Sequence, residues 1–402
     1  MNICILCRNI HKDLGGIETF VREYSYALGL EGHMVHIIAQ DRGGFYREPI
    51  HPNVKIHDIA LNDKPFIGYY YINSFFPIEE VYFAWKALQK IDALSKTMSI
   101  DIVEIMDYFR QGIALAIKGK FPLFLRLHGW MFNKQGVWKY DEKALSSKER
   151  WQRRFMQICI NKADGIASVS KSFAQYAASV WKIPTDKLSI IHNAVDVQKF
   201  NPGNVQARET SIIFSSRMLK NKGVVDLVDA LIQVFKKFPE LKVYFAGSDQ
   251  RWDDDKMMAK EYILKRLPAQ NLVFLGVIPS EDIINYYRKC KISVLPSLYE
   301  PFGLSALEAM ACGCAIVATK AGGLVEFIDS GINGILVEIN APNELAQAIE
   351  KFIMDDPFRD SCTRNAVQKV GEQFTYKNLT KQSLLAYRSA IEHYQKRITK
   401  GK

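Results

Sequence analysis

The sequence predicts an α/β protein made of two Rossmann-like domains, each a doubly wound parallel sheet. Three observations carry that prediction. Short apolar runs alternate with amphipathic segments along the chain, the pattern of parallel βαβ architecture. The same rhythm restarts after a polar stretch, His192–Glu209, with Asn201, Pro202 and Gly203 at its centre. The chain has 402 residues, more than a single hydrophobic core usually holds.

Taken in order, the first half offers strands at Asn2–Cys7, Met34–Ala39, Val54–Ile59, Ile102–Met106, Leu123–Leu127, Gly165–Ser168 and Leu188–Ile191. The segment Glu18–Leu30 reads as the first crossover helix, and Gly32 stands where a helix end favours glycine. The second half offers Ile212–Ser215, Leu241–Ala246, Leu272–Leu275, Ile292–Leu295, Ala315–Ala318 and Ile335–Val337. A last helix, about Tyr376 to Lys396, is long enough to cross back. The expected domains are therefore 1–200, with 376–402 returning to it, and 201–375. Two such units leave a cleft between their carboxyl edges, where open α/β sheets bind ligands.

Composition excludes disordered and fibrous classes: 48% of residues are hydrophobic, 24% charged and 12% aromatic. The formal charge of +10 favours anionic partners such as phosphorylated substrates or an anionic membrane surface. No recognition motif supports nucleic acid. Lys143–Gly165 sets Lys148, Arg150, Arg153 and Arg154 beside Trp151, Phe155, Ile158 and Cys159 at helical spacing. An interfacial helix fits that pattern, and a helix packed on its own domain fits it better. The seven cysteines read as thiols, with Cys4 and Cys7 in an apolar strand rather than a redox pair. No run has the length of a membrane span, and the first residues lack a signal-peptide core. The expectation is a cytoplasmic protein, with peripheral contact at the inner face of the membrane left open.

Four stretches place glycines or polar groups just after a strand. In "KDLGGIETF", Gly15 and Gly16 precede a helix whose first N–H groups can approach an anion. In "FLRLHGW", His128 leaves the end of an apolar strand and is followed by Gly129. In "SSRMLKNKG", Arg217 and Lys222 stand on a strand-to-helix loop from which both can reach one diphosphate. In "EPFGLSALEAMACG", Pro301 pushes Glu300 out of the helix and Gly303 permits a tight turn. Glu308 then lies inside the helix, and the Phe302, Gly303 and Leu304 N–H groups point at its mouth. A carboxylate at Glu308 can accept both hydroxyls of a ribose. A glycosidase acid and nucleophile pair needs no phosphate-binding cations, so Arg217 and Lys222 favour transfer over hydrolysis. No His, Cys and Asp cluster has metal-ligand spacing, and "WDDDK", Trp252–Lys256, reads as a solvated loop. The loop Gly276–Ser280 is placed to meet a base.

Together Gly15-Gly16, His128-Gly129, "SRMLKNKG", "FAG" at Phe245–Gly247 and "EPFGLSALEAMACG" resemble glycosyltransferase family 4, the retaining group with the GT-B fold. The resemblance spans nearly the whole chain, and the last stretch matches the family's E-x7-E signature. It implies that Glu300 contacts donor-sugar hydroxyls, Glu308 binds the ribose, and Arg217 and Lys222 bind the diphosphate. The Phe302–Leu304 backbone completes the pocket, and Gly16 approaches the phosphate from the other domain. His128 would contact the donor sugar and help stabilise an oxocarbenium-like state, with the β-phosphate acting as base toward the acceptor. Asp107, in "EIMDYFRQG", is the acceptor-side candidate.

The implied substrates are a UDP- or GDP-linked hexose and a sugar or lipid-linked acceptor in envelope polysaccharide or glycolipid synthesis, with no cofactor and no metal. Aromatic-rich Lys64–Phe76 suits a lipid-linked acceptor or a packed insertion. Cys314 stands where the family commonly has proline. The alternative is a binding or scaffolding protein that kept the fold and lost catalysis.

Overall fold

The computed structural model describes residues 1–8, 10, 16–41, 49–61, 73–107, 111–129, 145–204, 207–252 and 256–400. They divide into two compact units. Residues up to His192 and from Tyr376 onward form the first, and Asn193–Thr375 the second.

The first unit holds β1 (Asn2–Leu6), β2 (Met34–Asp41), β3 (Val54–Ala60), β4 (Ile102–Met106), β5 (Leu123–Leu127), β6 (Gly165–Ser168) and β7 (Leu188–Ile190). Its helices are α1 (Gly16–Leu30), α2 (Ile78–Leu94), α3 (Ile113–Lys118), α4 (Ser147–Lys162) and α5 (Lys171–Trp181). The sheet order is β3-β2-β1-β4-β5-β6-β7, with the strands paired in parallel. Strands β4, β5 and β6 are buried along their whole length, because a parallel sheet is covered on both faces.

The second unit holds β8 (Glu209–Ser215), β9 (Lys242–Ala246), β10 (Arg251–Trp252), β11 (Met257–Met258), β12 (Leu272–Gly276), β13 (Cys290–Leu295), β14 (Ala315–Thr319) and β15 (Ile335–Val337). Its helices are α6 (Val224–Lys237), α7 (Ala259–Arg266), α8 (Ser280–Lys289), α9 (Leu304–Ala311), α10 (Pro342–Met354) and α11 (Asp356–Gln373). The main sheet runs β12-β9-β8-β13-β14-β15, again parallel. Phe214, Leu227, Leu231, Phe245, Ile349 and Phe352 belong to the apolar core beneath it. The last helix, α12 (Tyr376–Lys400), belongs to the first unit and packs on α1 and β6.

The longer strands lie where the apolar runs place them. The short hairpin β10–β11 corrects the reading of Trp252 as solvated. Trp252 is buried, and its indole N–H donates to the Met218 carbonyl at 3.0 Å. Asp253–Asp255, like most of Lys64–Phe76, lie outside the described residues.

Helix α4 opens with a capping box in which Glu149 N–H donates to Ser146 Oγ at 3.3 Å and Ser146 N–H to Glu149 Oε2 at 2.8 Å. It buries Phe155, Met156, Cys159 and Ile160 against its own unit and leaves Trp151 exposed. All seven cysteines are buried, and burial pushes the Cys4 thiol up to about 12. Among the described residues no helix is long and apolar enough to cross a membrane.

Candidate active site

In the second sheet the strand order reverses between β8 and β13, so the loops leaving those strands define its carboxyl-edge crevice. After β8 the chain makes a short 3-10 turn, Lys220–Lys222, and enters α6 through Gly223. Gly223 has φ +74°, and a Cβ there would stand 1.7 Å from the Pro296 carbonyl oxygen. Gly247, after β9, has φ +142°, with a Cβ position 2.0 Å from the Ser216 carbonyl oxygen. These glycines let neighbouring loops close on one another, backbone to backbone. Leu298 N–H then donates to the Asn221 carbonyl at 2.9 Å. The result brings Lys222 Nζ to 2.8 Å from Glu300 Oε2, with Ser297 Oγ donating to the same oxygen at 3.3 Å. Both side chains of the pair are largely shielded, at 14% and 13% exposure.

Glu300 lies outside the helix, and the turn that follows is gripped from two sides. Phe302 is buried against Phe327 and Phe374, with ring centroids 5.1 and 6.2 Å away. Such burial contributes about 1.5–3 kcal/mol. Gly323 N–H donates to the Glu300 carbonyl at 2.9 Å, and a Cβ on Gly323 would stand 2.6 Å from the Pro301 oxygen. Gly303 takes φ +105° as the residue ahead of α9, which no side chain caps. The Leu304 and Ser305 N–H groups are too early in α9 for intrahelical acceptors. With the helix dipole they favour an anion at this mouth.

Glu308, inside α9, has different surroundings. Burial pushes its carboxyl up to about 7, while Lys199 and a hydrogen bond from Tyr287 pull the other way. The Tyr287 hydroxyl also lies 2.7 Å from Ser215 Oγ, so Ser215 donates to Tyr287 and Tyr287 to the carboxylate. Lys199 Nζ donates to Ser280 Oγ at 2.9 Å. Arg217 is exposed on the β8 loop and has no ion-pair partner among the described residues.

In the first sheet the order reverses between β1 and β4. Asp107 directly follows β4, and His128 directly follows β5. Asp107 is buried, and its Oδ2 accepts the Gly129 N–H at 2.9 Å. Gly129 sits at φ +92°. The His128 ring lies edge-on to Phe20, 4.7 Å between centroids. Its Nε2 is buried with no hydrogen-bond partner among the described residues. Burial, and then the Arg126 charge, push its pKa down to about 3, so the ring is neutral. Gly16 is exposed at the start of α1, with nothing within 4 Å of a Cβ there. Gly15 lies outside the described residues.

Two family models cover most of the chain: "Glycosyltransferase Family 4" matches residues 14–199, and "Glycosyl transferases group 1" matches 197–369. The chain belongs to glycosyltransferase family 4.

Among its relatives is an uncharacterised glycosyltransferase of Methanocaldococcus jannaschii, 25% identical over 338 residues that cover 79% of this chain and 84% of the relative. Sucrose-phosphate synthase from Thermosynechococcus elongatus shares the fold at a TM-score of 0.75 and 21% identity, covering 96% of this chain and 98% of that one. Anabaena HepE, solved in complex with UDP and glucose, shares it at 0.71 and 18% identity, covering 97% and 100%. The fold of this family 4 glycosyltransferase is therefore GT-B.

Within the second unit the structure brings Lys222 to Glu300 and sets both beside the Phe302–Leu304 turn, with Arg217 at the same edge. Glu308 is separate from that pair and has its own partners. In the first unit Asp107 joins the His128-Gly129 turn. Sequence reasoning missed Lys199, Tyr287, Ser297 and Gly323. Gly323 had a readable signal, since "AGG" follows a strand much as Gly15-Gly16 does. Tyr287 had none, being one of two tyrosines in an amphipathic helix.

Proposed function

We propose that this glycosyltransferase moves a hexose from a UDP- or GDP-linked donor to an acceptor hydroxyl with retention of configuration and without a metal. The observation that carries the reading is the Lys222–Glu300 pair at the uncapped mouth of α9. A diphosphate entering there takes charge-assisted hydrogen bonds from Lys222 and Arg217 and backbone N–H groups from the helix start. Lys222 then exchanges one anion for another, and Glu300 is released to accept from sugar hydroxyls. Glu308, held by Tyr287, accepts from the ribose hydroxyls. In the first unit, His128 offers a neutral imidazole to the donor sugar, and Gly16 permits close approach of phosphate.

In the reaction the bond from C1 to the β-phosphate oxygen breaks, and the acceptor oxygen bonds to C1 on the same face. The acceptor proton passes to a β-phosphate oxygen. The two cations and the helix N–H groups stabilise the charge that develops on the leaving diphosphate. The first unit serves the acceptor side, with Asp107 as its candidate. A sugar or lipid-linked acceptor fits an envelope polysaccharide or glycolipid role at the inner membrane face, to which the Trp151 side of α4 would lie.

Thermal-shift screening against UDP, GDP and ADP sugars tests the donor class. Stabilisation by sugars of one base, lost in Glu308→Ala, is the expected result. Donor binding without any turnover would favour the scaffolding alternative.

A further inference from the structure

Arg126 and His128 are two residues apart at the end of β5, so their side chains leave the same face of the sheet. Arg126 is fully buried. Its Nε lies 2.5 Å from Glu104 Oε1, and its Nη2 reaches Ser383 Oγ at 3.0 Å and Tyr24 Oη at 3.4 Å. Tyr387 donates to Glu104 Oε2 and lies 3.0 Å from the Tyr24 hydroxyl. The guanidinium stacks 5.0 Å from the Tyr24 ring and 5.4 Å from that of Phe20, the ring that meets His128 edge-on. One buried cation is thus fixed from β4, α1 and α12 at once, with a single aromatic ring between it and His128. Stability alone does not call for this arrangement, because apolar residues of similar volume often replace a buried ion pair without loss.

We propose that Arg126 is a positioning residue for His128, holding its ring through Phe20 and disfavouring a second cation beside it, and that Ser383 and Tyr387 of the C-terminal helix lock Arg126 in place. The inference rests on the reading of His128 as a donor-sugar contact. The groups facing this corner are Arg126 on β5, Tyr24 on α1, Glu104 and Asp107 at β4, and Tyr387 on α12. Glu104 is occupied by Arg126 and Tyr387, and Asp107 by the Gly129 N–H. Burial comes first in keeping the ring neutral, and the guanidinium is the charge that adds to it.

The test follows the His128 ring by NMR titration and the pH profile of kcat/KM in four variants. Glu104→Leu/Arg126→Met removes both charges and keeps the volume. His128 should then titrate at least about one pH unit higher than in the unaltered protein. The acid limb of kcat/KM should rise with it, and kcat at pH 6, where the ring stays neutral in both proteins, should fall severalfold because the ring is no longer held. Arg126→Lys should restore the low titration. Tyr387→Phe and Ser383→Ala keep the ion pair and should lower kcat severalfold with donor KM little changed. If the double variant does not fold, these two carry the test.

A folded double variant in which His128 titrates as before overturns the proposal. So does an unchanged kcat in both Tyr387→Phe and Ser383→Ala. If His128→Ala stays active, the donor-sugar role fails, while the NMR titration still decides the relation of Arg126 to His128.

Discussion

Lys222 Nζ and Glu300 Oε2 meet at 2.8 Å although 78 residues separate them, because their strands flank the reversal of the second sheet. The contact makes Lys222 an ion-paired cation before any diphosphate arrives. The Lys222 charge is therefore balanced without a ligand, and an incoming anion competes with a carboxylate for one ammonium. Removing Lys222 leaves Glu300 facing that anion uncompensated. Lys222→Ala should lower kcat about 100- to 1,000-fold, the usual effect of deleting a donor to developing charge. Glu300→Gln should cost less in diphosphate affinity than in turnover. Steady-state kinetics beside calorimetry with the free nucleoside diphosphate separates the two.

In the proposed role of Glu308 as acceptor from the ribose, nucleotide binding has its own pH dependence. Its carboxyl is pushed up to about 7, and the ionised form is the better acceptor from ribose hydroxyls. Nucleotide affinity should fall about tenfold as pH drops from 8 to 6. Calorimetry at both values checks this, and Glu308→Gln should bind weakly and almost independently of pH. Tyr287→Phe should raise the pH at which affinity is lost.

Stability should fall on mild acidification, with the sign set by histidines. Burial, first of all, lowers His36 and His128, the latter to about 3, and lowers His57 to about 4. His36 Nδ1 and His57 Nε2 are 2.9 Å apart, so charging both rings is unfavourable. The unfolded chain takes up these protons below 6.5, and the folded chain only at lower pH, so stability is lost as pH falls through that window. Glu308 acts in the opposite sense, its contribution fading as pH rises from 4.5 toward 7. Denaturant midpoints from pH 7 to pH 5 should therefore fall. His57→Gln should flatten the dependence, and Glu308→Gln should steepen it.

Two glycines of similar sequence context should behave oppositely. Gly223→Ala forces a Cβ toward the Pro296 oxygen at positive φ, and should destabilise the protein by at least about 2–3 kcal/mol. Gly16→Ala meets nothing within 4 Å and should change stability by no more than about 1 kcal/mol. Its effect should appear in the donor KM instead. Melting temperatures and donor kinetics on the same two proteins test both statements.

The fold was readable because buried parallel strands announce themselves as short apolar runs. Ile102–Met106 and Leu123–Leu127 fall on the observed strands residue for residue. The hairpin around Trp252 was not readable, since two-residue strands carry no periodicity. The α9 mouth was readable for the same local reason as the strands: Glu300, Pro301, Gly303 and Glu308 lie within one strand-loop-helix stretch.

What escaped were contacts distant in sequence. Arg126 reads as a polar interruption of an apolar strand, and its partners lie at Glu104, 22 residues before it, and Ser383, 257 residues after it. The pairing of Lys222 with Glu300 was likewise invisible, although each residue was readable by itself.

We assign the Lys222–Glu300 mouth of α9 to the diphosphate and sugar of a nucleotide sugar. Its most direct test is release of nucleoside diphosphate from a panel of UDP, GDP and ADP sugars, comparing the unaltered protein with Lys222→Ala and Glu300→Gln. Release is expected from the sugars of one base, at a rate that falls at least about 100-fold in Lys222→Ala. Folded protein that releases diphosphate equally well in both variants would contradict it.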